Sequence, residues 1–530
     1  MSRTGDGRGM SLVRPADAAV EAVATGDTVA VGGFVAVGIP EHLLSALGER
    51  YAQTGSPGDL TLYHPAAEGD RQGHGVSHLA RDGMLERVIG SHWGFVPRLM
   101  ERIVAGDVEA YNLPFGAMDH LLRDAAAGKP GTVTTVGLRT FVDPRRTGGK
   151  VNDATTEDLV EVVTLDGEEY LFYHAIAPDV ALIRGTTADE RGNVSMEREA
   201  LTANMLATAQ AAHNAGGTVI AQVERVTESG SLGAREVDIP GIVVDTVVEA
   251  PAEDHTQTYG TDYSGALSGE VRPPHDSTAE ETSLTARTVV ARRAAMELVP
   301  DAVVNLGVGV PEAIPAVAAA GGVSDEIIQT VEAGPIGGSP SGGIDFGTAS
   351  NHDALVSSPE QFDFYDGGGL DIGYLGIAQA DRDGNVNVSR FGSRLPGCGG
   401  FINITQNAAK VVFCGTLTTG DSSVSVGDGR LAVEGEDGAS KFVERVEQVT
   451  FSGDYALETD QPVVFVTERA VFELGEEGIV LTEIAPGVDI ESDVVDRMAF
   501  APTVADDLSE MDARLFRAEP MALTEFVRSE

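Results

Sequence analysis

Residues 329–338 read Gln329-Thr330-Val331-Glu332-Ala333-Gly334-Pro335-Ile336-Gly337-Gly338, directly after Ile327-Ile328. An apolar, β-branched run carries one carboxylate to its tip and then breaks into glycine and proline, the pattern of a buried strand entering a tight loop. Glu332 stands at that junction. In an open α/β sheet, ligands gather beyond the carboxyl ends of the strands, and glycines there let a substrate approach the backbone. A carboxylate so placed serves as a nucleophile or a base. The alternative is a strand-end glutamate that accepts loop N–H groups or faces water.

Upstream, Val303-Val304-Asn305-Leu306 runs into Gly307-Val308-Gly309-Val310-Pro311-Glu312, a strand, a glycine loop and a helix start. The same grammar occurs near the N-terminus, where Thr28-Val29-Ala30-Val31 leads through Gly32-Gly33 and Gly38-Ile39 to Pro40-Glu41 and a helical pattern to Leu47. Proline suits the first turn of a helix, where its missing N–H costs nothing. Such units offer backbone N–H groups to an anion. A second pair is Asp189-Glu190-Arg191-Gly192-Asn193-Val194-Ser195 and Asp381-Arg382-Asp383-Gly384-Asn385-Val386-Asn387, each following an apolar strand pattern. These copies lie 192 residues apart (Gly192 to Gly384), whereas the prolines of the first pair lie 271 apart (Pro40 to Pro311). The chain therefore reads as a duplicated α/β domain whose first copy carries an insertion of about 79 residues, placed roughly within 63–163. The expected domains are 1–271 and 272–530, joined by a polar, Pro- and Gly-bearing crossing from about residue 251. Helical periodicity resumes at Leu284, Pro462 to Thr467 and Ala470 to Leu474 read as strands, and Ser492 to Met498 as a closing helix.

The 530 residues are 42% hydrophobic, enough for two or more cores, with a formal charge of −46. The acids are dispersed, and Lys129, Lys150, Lys410 and Lys441 are the only lysines. That charge argues against nucleic acid and anionic membranes as partners. It matches a protein from a salt-accumulating halophile, where molar salt shortens the Debye length to roughly 3 Å. Cys398 and Cys414 belong to no disulfide or zinc pattern, so a reducing compartment is expected. Met1 to Pro15 lacks the apolar core of a signal peptide, and no apolar run is long enough to span a membrane. A cytoplasmic location follows. His64, His74, His78 and His92 give only one same-face helical pair, so no metal site is expected, and Trp93 reads as a packing residue.

The second half also holds Gly397-Cys398-Gly399-Gly400-Phe401. Such a cluster points amides at one spot, for a phosphate or an oxyanion, and Glu332 shares that spot if both loops lie at one sheet end. The other reading is a glycine-rich turn without a ligand. A dinucleotide site is disfavoured, because neither Gly32 to Gly38 nor Gly307 to Gly309 has G-x-G-x-x-G spacing.

Taken together, Val31 to Glu41, Thr330 to Gly338, Gly384 to Val388 and Gly397 to Phe401 resemble the family I CoA-transferases. Phe141 to Arg145, Ala181 to Glu190 and Thr482 to Gly487 resemble its single-chain acetate or propionate branch. The resemblance implies two related α/β domains, one active site per chain and a homo-oligomer, dimer or tetramer. It implies that Glu332 attacks a short-chain acyl-CoA and then carries CoA as a glutamyl thioester, with no ATP, metal or permanently bound cofactor. By the same resemblance Gly397, Gly399, Gly400 and Phe401 lie along CoA and near the thioester oxygen, and Gly33 and Gly38 complete the pocket from the other domain. Gln379 and Asn387 are candidates to contact the substrate carboxylate, although a turn-forming role suits Asn387 equally. The implied partners are small molecules, an acyl-CoA and a carboxylate. The competing functions are an acyl-CoA hydrolase on the same fold and a non-catalytic protein binding CoA or carboxylate.

Overall fold

The computed structural model describes residues 12–274, 283–324, 327–420, 423–435 and 438–527. The N-terminal stretch to residue 11 and the end of the 251–282 crossing lie outside them. Two large sheets organise the chain. In the first, the strands stand in the order Thr246–Glu249, Thr218–Thr227, Val180–Asp189, Thr28–Val31, Leu60–His64, Leu85–Gly90, Glu109–Asn112. All pairings along this path are parallel. Strand Val180–Asp189 is buried at every position, as a central parallel strand covered on both faces must be.

The second sheet repeats that order. Its strands Val463–Val466, Lys410–Cys414, Ile372–Gly376, Ala302–Leu306 and Ile327–Thr330 are parallel neighbours in the sequence of places held by the first five strands above. Beyond Val463–Val466 the sheet adds Ala470–Gly475 and Gly478–Ile484, both antiparallel to their predecessors, and then Thr503–Glu510. The closing element is not an α-helix. It is a π-helical turn at Ile490–Val494 followed by a 3-10 turn at Val495–Arg497.

The two D-x-x-G-N-V copies fold alike. Asp189 Oδ1 accepts the Arg191 and Asn193 amides at 2.9 and 3.0 Å. Asp381 Oδ1 accepts those of Asp383 and Asn385 at 3.2 and 3.1 Å. Asn193 Oδ1 then receives Gly241 N–H, and Asn385 Oδ1 receives Gly453 N–H. Both are Asx-type turns that also staple a distant glycine.

Residues 65–179 separate strands Leu60–His64 and Val180–Asp189 and are ordered, not irregular. They supply two further parallel strands, helices Pro97–Ala105 and Phe115–Ala126, and the antiparallel sheet of Gly131–Thr134, Glu168–His174 and Val160–Leu165. The equivalent span of the second half holds short strands, a 3-10 turn at Gly343–Asp345 and the helix Ser358–Asp366. Helix Phe115–Ala126 reaches across to the second half. Gly116 N–H donates to Asn403 Oδ1 at 3.1 Å, and a side chain at Gly116 would strike Asn403 and the Phe362 ring. Phe34, Phe115 and Phe362 form a continuous aromatic seam, with centroids 5.5 and 4.9 Å apart. One buried apolar cluster therefore runs from Phe34 to Val37 through Phe115 to Val331, Ala333 and Phe401.

Candidate active site

Along that seam lies a cavity of about 170 Å³, bordered from the first half by Phe34, Val35, Ala66, Ser91, His92, Phe95 and Phe115. From the second half it is bordered by Asn305 to Val308, Val331, Glu332, Phe346, Leu375, Cys398 to Phe401 and Ile404. Strand Ile327–Thr330 ends two residues before Glu332, and the turn closes through Val331 N–H to Pro335 O and Gly334 N–H to Val331 O. Gly334 has φ +128°, and a β-carbon there would lie 2.1 Å from Val356 O. The glycine that breaks the strand is thus required by a close backbone approach.

Glu332 is half-buried and borders the cavity, and burial pushes its carboxyl up to about 7, with the Asp119 carboxylate adding to the effect. Asp119, on helix Phe115–Ala126, is fully buried and itself pushed up to about 7 by burial, although Ser358 Oγ and Asn204 Nδ2 donate to it. His92 brings no compensating charge. Burial, then the Arg71 guanidinium, hold it down to about 4, so it is neutral at pH 7. The outcome is a carboxylate with weakened solvation and, among the described residues, no cation beside it to lower its basicity.

The glycine loop packs directly on Glu332. A β-carbon on Gly400 would lie 2.1 Å from Glu332 Oε2. The rest of the loop is pinned to the first half: Cys398 N–H donates to Asn112 Oδ1 at 3.1 Å and Gly399 N–H to Ser91 O at 2.9 Å, while Gly399 O accepts Phe115 N–H at 2.9 Å. Gly397 N–H donates to Ser389 O, and its missing β-carbon makes room for Ser91 O. The amides of residues 397–399 therefore fasten the loop. Each of the three has a protein acceptor. Gly399, Gly400 and Phe401 border the cavity, and the Gly400 amide has no protein acceptor among the described residues. Cys398 is buried, with its thiol raised far above the usual range by burial and donating to Leu113 O, which suits an inert filler.

Other candidates fall outside the cavity. Gly33 N–H turns to Asn204 Oδ1 and Gly38 N–H to Gln257 O, so these glycines shape the loop that presents Phe34 and Val35. Val35 holds φ +51°, rare for a β-branched residue, fixed by Val35 N–H to Ala66 O and Gly69 N–H to Val35 O. Gln379 and Asn387 are cross-strand partners bonded to each other at 2.7 Å. Asn387 Oδ1 also accepts Ser389 and Arg390 N–H, so its amide is spent on a turn. Trp93 is fully buried and donates to His64 Nε2, whose Nδ1–H therefore faces Glu68 at 2.9 Å. Among the described residues no cluster of three or more His, Cys, Asp or Glu has a metal-holding arrangement. No described helix is long and apolar enough to cross a membrane. Asp119, Asn204, Ser358 and Asn112 were not legible as site residues, since each acts through a partner 85 or more residues away in sequence.

The Coenzyme A transferase family model matches residues 13–250. The chain is 44% identical over 475 residues to acetate CoA-transferase YdiF of Escherichia coli (strain K12), covering 89% of each protein. It is 44% identical over 504 residues to caffeate CoA-transferase of Acetobacterium woodii, covering 94% of this chain and 96% of that one. Crystal structures of the acyl-CoA transferase YdiF from Escherichia coli O157:H7, one the apoenzyme and one a thioester complex with CoA, superpose with a TM-score of 0.92 at 40% identity. Each match spans 98% of this chain and 99% of the other. The chain belongs to the coenzyme A transferase family. It is an enzyme of that class, transferring CoA between carboxylic acids.

Proposed function

We propose that Glu332 is the nucleophile of this transfer and that the donor and acceptor are short-chain carboxylates such as acetate or propionate. The observation that carries the reading is the placement of a desolvated carboxylate, raised to about 7, in an apolar cavity from which Gly400 removes the one side chain that would obstruct it. A Glu332 oxygen attacks the thioester carbonyl and expels the CoA thiolate, leaving a mixed anhydride. The thiolate then attacks the glutamyl carbonyl, which releases the free carboxylate and leaves CoA on Glu332 as a thioester. An acceptor carboxylate reverses both steps, so the thioester's free energy stays covalent throughout. The Gly400 amide is the backbone donor available to the oxyanion. The cavity volume and its Phe34, Phe95, Phe115 and Phe346 walls suit a small apolar acyl group.

The same reading takes 1–271 and 272–530 as the two domains, and a cytoplasmic homo-oligomer adapted to high salt as the working form. Incubating the enzyme with acetyl-CoA and no acceptor tests the mechanism. Intact mass and hydroxylamine trapping should locate CoA on Glu332, and E332A should yield no adduct. An adduct on another residue overturns the assignment. An adduct that water discharges as fast as acetate does makes the enzyme a hydrolase.

A further inference from the structure

The crossing that begins near residue 251 touches both halves of the cavity wall. Tyr259 N–H donates to Ala36 O at 3.0 Å, Gly38 N–H donates to Gln257 O, and Thr258 bridges to Val37, so this segment holds the loop that presents Phe34 and Val35. The same turn grips the second half. Asp345 Oδ1 accepts the Thr258 hydroxyl, and Asp345 Oδ2 accepts the Thr261 hydroxyl at 3.1 Å. Thr258 Oγ1 already accepts Gly260 and Thr261 N–H at 3.0 and 2.8 Å, which leaves its hydroxyl proton for Asp345. A β-carbon on Gly260 would lie 2.2 Å from Ile344 Cγ2 and 2.8 Å from Asp345 Oδ1, so the turn and the Asp345 loop are in direct contact.

The residue after that carboxylate is a cavity wall. Strands Ser339–Pro340 and Ala349–Ser350 pair antiparallel and enclose a loop that passes through the 3-10 turn Gly343–Asp345. Phe346 borders the cavity and packs on Phe34, with centroids 5.9 Å apart. Gly347, at φ +108°, admits this approach, since a β-carbon there would lie 2.5 Å from the Phe34 ring. The four aromatic walls are held in different ways. Phe34 and Phe115 are fully buried in the seam, and Phe95 lies under the Arg71 guanidinium at 4.3 Å. Phe346 is only half-buried, on a loop whose Gly342 and Gly343 are exposed, with nothing within 4 Å of where their β-carbons would stand. Truncating a seam ring empties the core and costs stability, whereas truncating Phe346 enlarges the cavity at its least buried wall.

We propose that Phe346 sets the upper size of the acyl group, and that Asp345 is its positioning residue, holding the ring at the cavity through Thr258 and Thr261. This rests on the reading of the cavity as the acyl site beside Glu332. Bonds within the loop, Ser341 N–H to Thr348 O and Thr348 N–H to Asp345 O, give it its shape; the bonds of the Asp345 carboxylate fix it against the first half. A fitted apolar wall discriminates by the methylenes it refuses, roughly 10–200-fold for each.

Turnover of the full-length enzyme with propionyl-CoA, butanoyl-CoA and hexanoyl-CoA as donors and acetate as acceptor tests the assignment. In the wild type kcat/KM should fall along the series, and F346A should raise the ratio of hexanoyl to propionyl by about tenfold or more. F346L, shorter and still apolar, serves where F346A does not fold. D345A and T258V remove the acceptor and the donor of the clamp, and should move the ratio the same way by about threefold or more, the ring being loosened and not removed. D345N and T258S keep a hydrogen bond at each place and should hold the wild-type ratio. Damage to the fold alone lowers all three donors together and leaves the ratio where it was. A wild type that takes hexanoyl-CoA as well as propionyl-CoA, or an unshifted ratio in F346A and F346L, overturns the role of Phe346. A shift in F346A with none in D345A and T258V overturns the role of Asp345. Hydroxylamine trapping in F346A separates this from the nucleophile: CoA on another residue with the ratio shifted removes Glu332 and leaves the wall, whereas CoA on Glu332 with the ratio unshifted removes the wall alone.

Discussion

The missing side chain of Gly400 is the space occupied by Glu332: a β-carbon there would sit 2.1 Å from Oε2 and 2.9 Å from Cδ. The loop backbone at Gly400 has φ −83°, which any residue adopts, so the glycine answers to proximity and not to conformation. G400A should therefore fold, with a melting temperature within a few degrees of wild type, while its methyl group displaces the carboxylate. A misplacement of about 1 Å costs on the order of 10²-fold. Kinetics should show kcat/KM reduced by at least that factor, together with slow adduct formation. Retention of activity within a few-fold means that the close approach plays no part in transfer.

Asp119 is fully buried and does not line the cavity, yet its charge raises the proton affinity of Glu332. Ionised Glu332 is the reactive form, so kcat/KM should rise with pH through an acid limb near pH 7, the two carboxylates titrating as a pair. Of the other groups near them, His92 is held down to about 4 and the Cys398 thiol is raised beyond the range. His120, itself raised against burial by its hydrogen bond to Asp363, lowers the Asp119 carboxyl when charged, and Glu68 raises it. D119N removes one charge and keeps the shape. Its acid limb should move to lower pH without reaching the ordinary glutamate value, since burial is the larger cause. Its activity above pH 8 should fall, because a less basic carboxylate is a weaker nucleophile. An unshifted limb reduces Asp119 to a bridge between Asn204 and Ser358.

The same raised affinity has a cost in stability. A group that binds its proton more tightly when folded stabilises the protein below its unfolded pKa, and loses that contribution as pH climbs through the folded one. For Glu332 the window runs from 4.5 to about 7. E332Q carries no charge to desolvate, so it should melt higher than wild type at pH 8, by an amount bounded near 3 kcal/mol, and not at pH 4. Thermal melts at the two pH values read the difference directly. Equal melting temperatures at pH 8 mean that Glu332 ionises without strain. Transfer activity in E332Q should drop by several orders of magnitude, because an amide is a very poor nucleophile.

The duplication and the strand leading to Glu332 were legible because they are local patterns: apolar runs of period and length suited to parallel strands, each closed by glycine or proline. The most repeated motif misled about chemistry. D-x-x-G-N-V is written twice because the same Asx turn is built twice, and Asn387 beside it is spent on Gln379 and Arg390. The first half's contribution was hard to see for the opposite reason. Asn112 and Asp119 sit on a short strand and on an ordinary amphipathic helix, and become site residues only through Cys398, Ser358 and Asn204, 85 to 286 residues away. Pro40 illustrates the limit on boundaries. It caps helix Glu41–Thr54 with ψ 63° and does not occupy its first turn.

The surface yields the last prediction. With 82 acidic and 36 basic residues, the chain has far more carboxylates than cations to pair with them. Some of the ion pairs that do form are exposed on both sides, such as Arg139–Glu458 and Arg145–Glu169, and such pairs contribute about 0–1 kcal/mol each. Salt weakens those pairs, but it also screens repulsion among the unpaired acids, which outnumber them. At about 0.01 M salt the Debye length of roughly 30 Å lets carboxylates repel across much of the molecule; at about 1 M it falls to roughly 3 Å. Repulsion should dominate, so the melting temperature should rise substantially from low to molar salt, in sodium chloride and potassium chloride alike. Circular dichroism melts across that series measure it. A melting temperature that stays flat or falls means that the ion pairs outweigh the repulsion, and that the acidic surface is not an adaptation to salt.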